Sequence, residues 1–302
     1  LLKRASIIAL VGNMVLAAAK LVVGAISGSL AVVSDGVDSS TDVAIAIMTL
    51  IIASFIDKPG DREHPYGHAR AETMATTALA FIVFFAGAQL FLGAAESLIS
   101  GERPPMPAKL AIWVTVLSVL GKLGLAWSQF AIGKRTGSAM LIANGKNMRG
   151  DVVTSASVLV GLGITYIVGL PVIDRVLALL VSLWIIKNAV GIFMEANTEL
   201  MDGTSDRGPY GEVFQAVASV PGAGNPHRTR IRKLGSRLMV DLDIEVSPAL
   251  SVGGAHDIAV GVEHAIKARL PDVYDVIVHV EPWGNLETEE RYGLTPDDHE
   301  GK

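Results

Sequence analysis

The sequence predicts a membrane α-helical bundle of six transmembrane helices, followed by a small cytoplasmic α+β domain. Three observations predict it. The 302 residues are 50% hydrophobic and only 18% charged, where soluble proteins carry about 25% charged residues. The deficit falls on residues 1–200, and most of the acidic and half-polar sequence follows Asp202. Within the apolar part, stretches of about 20 residues, enough to cross a bilayer, recur between short polar breaks. The same composition excludes other classes. There is no cysteine, hence no disulfide and no thiolate metal site, and a net charge of −5 gives no electrostatic case for nucleic acid. The first span lacks a small-residue cleavage site after it, so it reads as a retained helix and not a signal peptide.

The first span is Ala5 to Ala25, preceded by Lys3 and Arg4. Gly24 and Gly28 form a small-xxx-small pair suited to close helix packing. Lys20, near the far end, is expected to snorkel to the interface. After the turn Ser27-Gly28-Ser29, the second span runs from Leu30 to Phe55 and carries Asp35, Asp38 and Asp42. Carboxylates inside a span cost about 2.5–3.5 kcal/mol each on insertion, and no Lys or Arg lies between Leu30 and Phe55 to offset them. A polar loop from Asp57 to Arg70 follows, and the third span is Glu72 to Leu98. The Pro-rich turn Gly101–Pro107 leads to the fourth span, Ala108 to Ile132, with Lys122 unusually deep inside it. A basic break, Gly133 to Gly137, precedes the fifth span, Leu141 to Val168. After Gly169-Leu170-Pro171 the sixth covers Ile173 to Phe193.

Loop charge sets the orientation. One side holds Lys3, Arg4, Lys58, Arg62, Arg70, Lys134 and Arg135, and the other only Arg103 and Lys109. Positive loops stay inside, so both termini are expected in the cytoplasm, in a multi-pass protein of the cell (inner) membrane. In the tail, Tyr210–Val220 and Val252–Leu270 have helical spacing. His227–Lys233, Arg237–Val246 and Tyr274–Val280 alternate apolar and polar residues as strands do, with Leu234-Gly235-Ser236 as a hairpin turn. The order αββαβ suits a ferredoxin-like domain with helices on one face of a mixed sheet. The expected organisation is a transport domain at 1–205, a cytoplasmic domain at 206–284 and a polar, disordered tail at 285–302.

Asp38 and Asp42 stand at i and i+4, on one helix face, one turn apart. Asn147 and Asp151 repeat that spacing in the fifth span. Three carboxylates and one amide can converge between the two helices as oxygen ligands for a divalent cation. Six spans, these paired motifs, the HPYGHARAE loop and the αββαβ tail together resemble the cation diffusion facilitator family, over about Ala5 to Pro282.

The resemblance implies a homodimeric secondary transporter, not an enzyme, that exchanges a cytoplasmic divalent metal for protons and holds no cofactor beyond its cargo. It implies Asp38, Asp42, Asn147 and Asp151 as the transport site, and Asp61, His64 and His68 as a loop metal site. It also implies His227, Asp243, His256, His279 and Glu281 as cytoplasmic metal ligands, and Arg70 with Asp202 as a structural pair. Zinc exporters of this type usually have His where this chain has Asn147. An all-oxygen site favours Mn²⁺ or Fe²⁺ while leaving Zn²⁺, Co²⁺ and Ni²⁺ as possible cargo. Proton exchange then falls to the crowded aspartates. A zinc-selective exporter, a membrane-embedded metallo-hydrolase and a metal sensor built on the tail are the alternatives. The hydrolase lacks a nucleophile or HExxH pattern, and the sensor leaves the intramembrane acids unexplained.

Overall fold

The computed structural model describes residues 2–56, 61–100, 105–136, 139–204, 206–235, 237–285 and 292–300. Lys58, Arg103, Gly137 and Ser236, and the side chains of Lys3 and Arg4, lie outside the described residues. Six long helices come first: α1 (Leu2–Ser27), α2 (Leu30–Ile56), α3 (Arg70–Ile99), α4 (Leu110–Thr136), α5 (Ala139–Val168) and α6 (Val172–Leu200). Then follow α7 (Gly208–Ala218), β1 (Gly224–Leu234), β2 (Arg237–Val246), α8 (Val252–Arg269), β3 (Val273–Pro282) and α9 (Pro296–Glu300). The chain divides into two compact units, one of Leu1–Ala53 with Ala75–Met194 and the other of Ser54–Met74 with Glu195–Lys302.

Among the described residues, five helices are long and apolar enough to cross a membrane. The remaining long helix, α2, is the one that carries the aspartates. Large apolar side chains such as Trp127 and Ile167 point outward. The interior holds small ones, with Ala31, Ala94, Ala111 and Ala178 fully buried. This inversion fits helices solvated by lipid, where small residues let backbones approach. Gly36 is one such approach: a Cβ there would stand 3.1 Å from the backbone nitrogen of Leu21, so the glycine brings α1 against α2 beside Lys20. The expected Gly24/Gly28 packing pair holds at Gly24 only, which presses on Val33. Gly28 has open space around it and a φ of +69°, so its role is the left-handed turn between α1 and α2. Asp174 of α6 caps that turn, accepting from the Leu30 backbone at 3.0 Å and from Ser29 Oγ at 2.5 Å.

In the second unit, a three-stranded sheet has the order β1-β2-β3, with β1 and β2 antiparallel and β2 and β3 parallel. The parallel pair needs a crossover, which α8 supplies. Ser251 caps α8 by accepting from the Gly254 backbone at 3.1 Å. Val213 and Val217 of α7 and Val262 and Ile266 of α8 close the core over Val240, Leu242 and Ile244 of β2. The order of elements is αββαβ, one strand short of a β-α-β-β-α-β ferredoxin-like sheet. Within the tail expected to be disordered, residues 292–300 are described and pair with β1. Leu294 exchanges backbone hydrogen bonds with Thr229 at 2.9 and 3.1 Å, and α9 follows. Gly293 permits this, because a Cβ there would lie 2.5 Å from the Arg228 carbonyl carbon.

Candidate metal centres

Asp38, Asp42 and Asp151 are half-buried in the first unit, in a polar layer whose buried members are Lys20, Asp35, Ser39, Lys122 and Ser155. Asp38 and Asp42 face α5 from α2, and the Asp42 and Asp151 carboxyl groups lie within hydrogen-bonding reach. Asp38 interacts through its charge with both Asp151 and Asp35. Asn147, one turn before Asp151, is exposed. The oxygens of Asp38, Asp42 and Asp151 are not among the described groups whose ligand atoms all lie within 4.8 Å of one another.

Two lysines explain how these acids are tolerated. Lys20 departs from the expectation that it snorkels to the interface: it is fully buried and its Nζ lies 2.7 Å from Asp35. The same ammonium donates to Ser39 at 3.0 Å and to Ser155 at 2.8 Å, and Ser155 donates to Asp35 at 2.9 Å. Lys122, 1% exposed, reaches Asp151 at 3.2 Å. The second span holds no cation of its own, and both cations come from other helices. A signal existed: Asp35 precedes Asp38 by three residues and Ser155 follows Asp151 by four, so both share their partner's helix face.

The loop residues form a separate cluster in the second unit. Asp61 Oδ1 accepts from the backbone N–H groups of His64 at 2.7 Å and Glu63 at 2.9 Å. The His64 N–H bond is the main reason that the Asp61 carboxyl titrates below its usual range. His64 Nδ1 and His68 Nε2 approach the same carboxylate at 3.4 and 3.3 Å. Nearby, Arg70 pairs with Asp202 and donates to the Leu200 carbonyl at 3.2 Å. Arg232 approaches Asp202 at 3.6 Å.

A further cluster lies across the sheet. Strand register sets His227 opposite Asp243, and Asp243 beside His279. Glu281, two residues on, shares the His279 face. His227, Asp243 and Glu281 gather their ligand atoms within 4.8 Å, with both carboxylates buried. His279 is mostly exposed, with Nε2 3.5 Å from Glu281. His256, also among the expected ligands, is an exposed residue of α8 and belongs to neither cluster found among the described residues. The residue missed is Arg228. In a regular strand it would point away from His227. Register shifts flank His227, and Arg228 has a φ of +47°, which turns its side chain to the same face. There it binds Asp243 and reaches Glu281 at 3.0 Å.

Comparison with known proteins adds the following. The profile of the cation efflux transmembrane domain matches residues 6–201, and that of the cation efflux protein cytoplasmic domain matches 206–283. The chain is 30% identical over 296 residues to metal tolerance protein 2 of rice (Oryza sativa subsp. japonica), covering 90% of this chain and 76% of the relative. It is 31% identical over 277 residues to the manganese efflux system protein MneS of Bacillus subtilis, covering 92% and 94%. Among solved structures, the metal-bound C-terminal domain of the CzcD transporter from Thermotoga maritima aligns at 39% identity and a TM-score of 0.26, covering 26% of this chain and 92% of that domain.

Proposed function

Because the chain belongs to the cation efflux family, the cation diffusion facilitators, we propose that it exports divalent metal ions in exchange for protons through a midmembrane site on α2 and α5. As a family member it is a divalent-cation efflux transporter with membrane-spanning helices, and not an enzyme. The finer reading adds α2 as a sixth span, both termini in the cytoplasm, a cell-membrane location and a twofold homodimer. Asp38, Asp42, Asn147 and Asp151 hold the cargo. Asp61 with His64 and His68, and His227 with Asp243, His279 and Glu281, are secondary metal-binding groups. The observation that carries the reading is the approach of the half-buried Asp38 and Asp42 of α2 to Asp151 of α5 in the helical unit.

Mn²⁺ and Fe²⁺ are the proposed cargo ahead of Zn²⁺, Co²⁺ and Ni²⁺. The donor set is all oxygen, which suits harder cations, and a relative bears the name of a manganese efflux protein. Proteoliposomes with an imposed pH gradient test this against the full panel of metals. Metal uptake matched by proton movement is expected, with Mn²⁺ or Fe²⁺ fastest. Uptake indifferent to the gradient removes proton exchange from the reading, and strong preference for Zn²⁺ removes the hard-metal assignment.

A further inference from the structure

The helical unit buries two ammonium groups among its acids, and they are held differently. Lys20 is fixed by Asp35, Ser39 and Ser155. Lys122 is as deeply buried, yet its Nζ makes no hydrogen bond among the described residues, and its ion-pair partner there is Asp151. From α1, α2, α4 and α5 the charged groups facing one another are Lys20, Asp35, Asp38, Asp42, Lys122 and Asp151. By formal charge that is four carboxylates against two ammonium groups, an excess of two negative charges. One divalent cation matches this excess. Buried charge is tolerated when it is matched and strongly unfavourable when it is not.

We propose that Lys122 is a tethered competitor of the transported ion, whose ammonium holds Asp151 and weakens metal binding enough for the cargo to leave. This rests on the reading of Asp38, Asp42 and Asp151 as the transport site. Lysine suits the role as a compact charge on a flexible stem, able to withdraw as a metal takes the carboxylate. An arginine would grip both carboxylate oxygens and hold them. Lys20, with three polar partners, sets the charge of the layer and stays in place.

The test is Mn²⁺ titration calorimetry on the detergent-purified full chain, less the signal of an Asp42→Ala/Asp151→Ala protein. Lys122→Met is expected to tighten Mn²⁺ binding about tenfold or more, since a unit charge at this range exceeds one decade even at an effective dielectric near 20. Lys122→Arg is expected to weaken it by at least about threefold. Tighter binding in Lys122→Met separates competition from a structural ion pair, whose loss there would weaken binding and which Lys122→Arg would preserve. Equal affinity in all three proteins, or weakening in Lys122→Met, overturns the proposal. Where Lys122→Met does not fold, Lys122→Arg decides alone, because unchanged or tighter binding overturns it. If the double-alanine protein binds Mn²⁺ like the wild type, the transport site itself is misassigned. If it loses binding while the Lys122 variants do not shift, only the competitor role fails.

Discussion

The helical unit and the cytoplasmic unit both bury carboxylates beside a basic side chain, and they use different bases. In the first, Lys20 and Lys122 arrive from neighbouring helices and meet Asp35 and Asp151. In the second, Arg228 lies next in sequence to His227 and spans Asp243 and Glu281 from a left-handed position in β1. A lysine is a point charge that can swing on its stem, whereas a guanidinium fork is fixed once two carboxylates hold it. The cytoplasmic cluster is further pinned by Tyr292, whose ring lies 5.6 Å from the Arg228 guanidinium, and by the Leu294–Thr229 bridge. The lesson is that similar acid clusters can differ in whether their own cation is able to yield to an incoming metal.

That contrast breaks most sharply at the carboxylates. Asp42→Ala or Asp151→Ala is expected to abolish Mn²⁺ uptake in proteoliposomes while the protein still inserts; wild-type rates in both would move the transport site elsewhere. Next in size is the fixed lysine. Lys20→Met leaves Asp35 buried without its cation, a loss of about 4 kcal/mol for a broken buried pair. Thermal unfolding in detergent should register it, and an unchanged midpoint would mean that the pair does not stabilise the fold. Arg228→Ala is expected to cost about 3 kcal/mol in the cytoplasmic unit by the same reasoning, somewhat less because its side chain keeps 13% exposure. Hydrogen exchange along β1 and β3 of the full chain reports it, and unaltered protection would make the arginine a bystander. The smallest effect concerns selectivity. Asn147→His offers an imidazole in place of an amide oxygen, so competitive uptake should shift toward Zn²⁺ and away from Mn²⁺. A constant ratio would exclude Asn147 from the ligand set, consistent with its exposure here.

The same contrast separates what was readable along the chain from what was not. Helix and strand positions were readable because their signals are local. The expected second span, Leu30 to Phe55, is α2 at Leu30–Ile56, and the expected amphipathic helix Val252–Leu270 is α8 at Val252–Arg269. Apolar length and the period of alternation decide such segments within a few turns of backbone. The i, i+4 pairing of Asp38 with Asp42, and of Asn147 with Asp151, is likewise a property of helix pitch.

By itself, then, the sequence determined the apolar segments, the element order of the tail and the acids that share a helix face. The tertiary structure alone decided which cation meets which acid. Lys20 bonds to Ser155, 135 residues away, and meets Asp35 where Gly36 lets α1 close on α2. Gly28 serves a turn and not a packing seam, as its φ of +69° requires. Arg228 joins His227 because β1 departs from regular alternation on both sides of His227, and Leu294 returns to pair with Thr229. The Lys20–Ser155 and Thr229–Leu294 contacts depend on backbones meeting across long stretches of chain. Periodicity says which face of an element is apolar, and it cannot say what the polar groups on that face will meet.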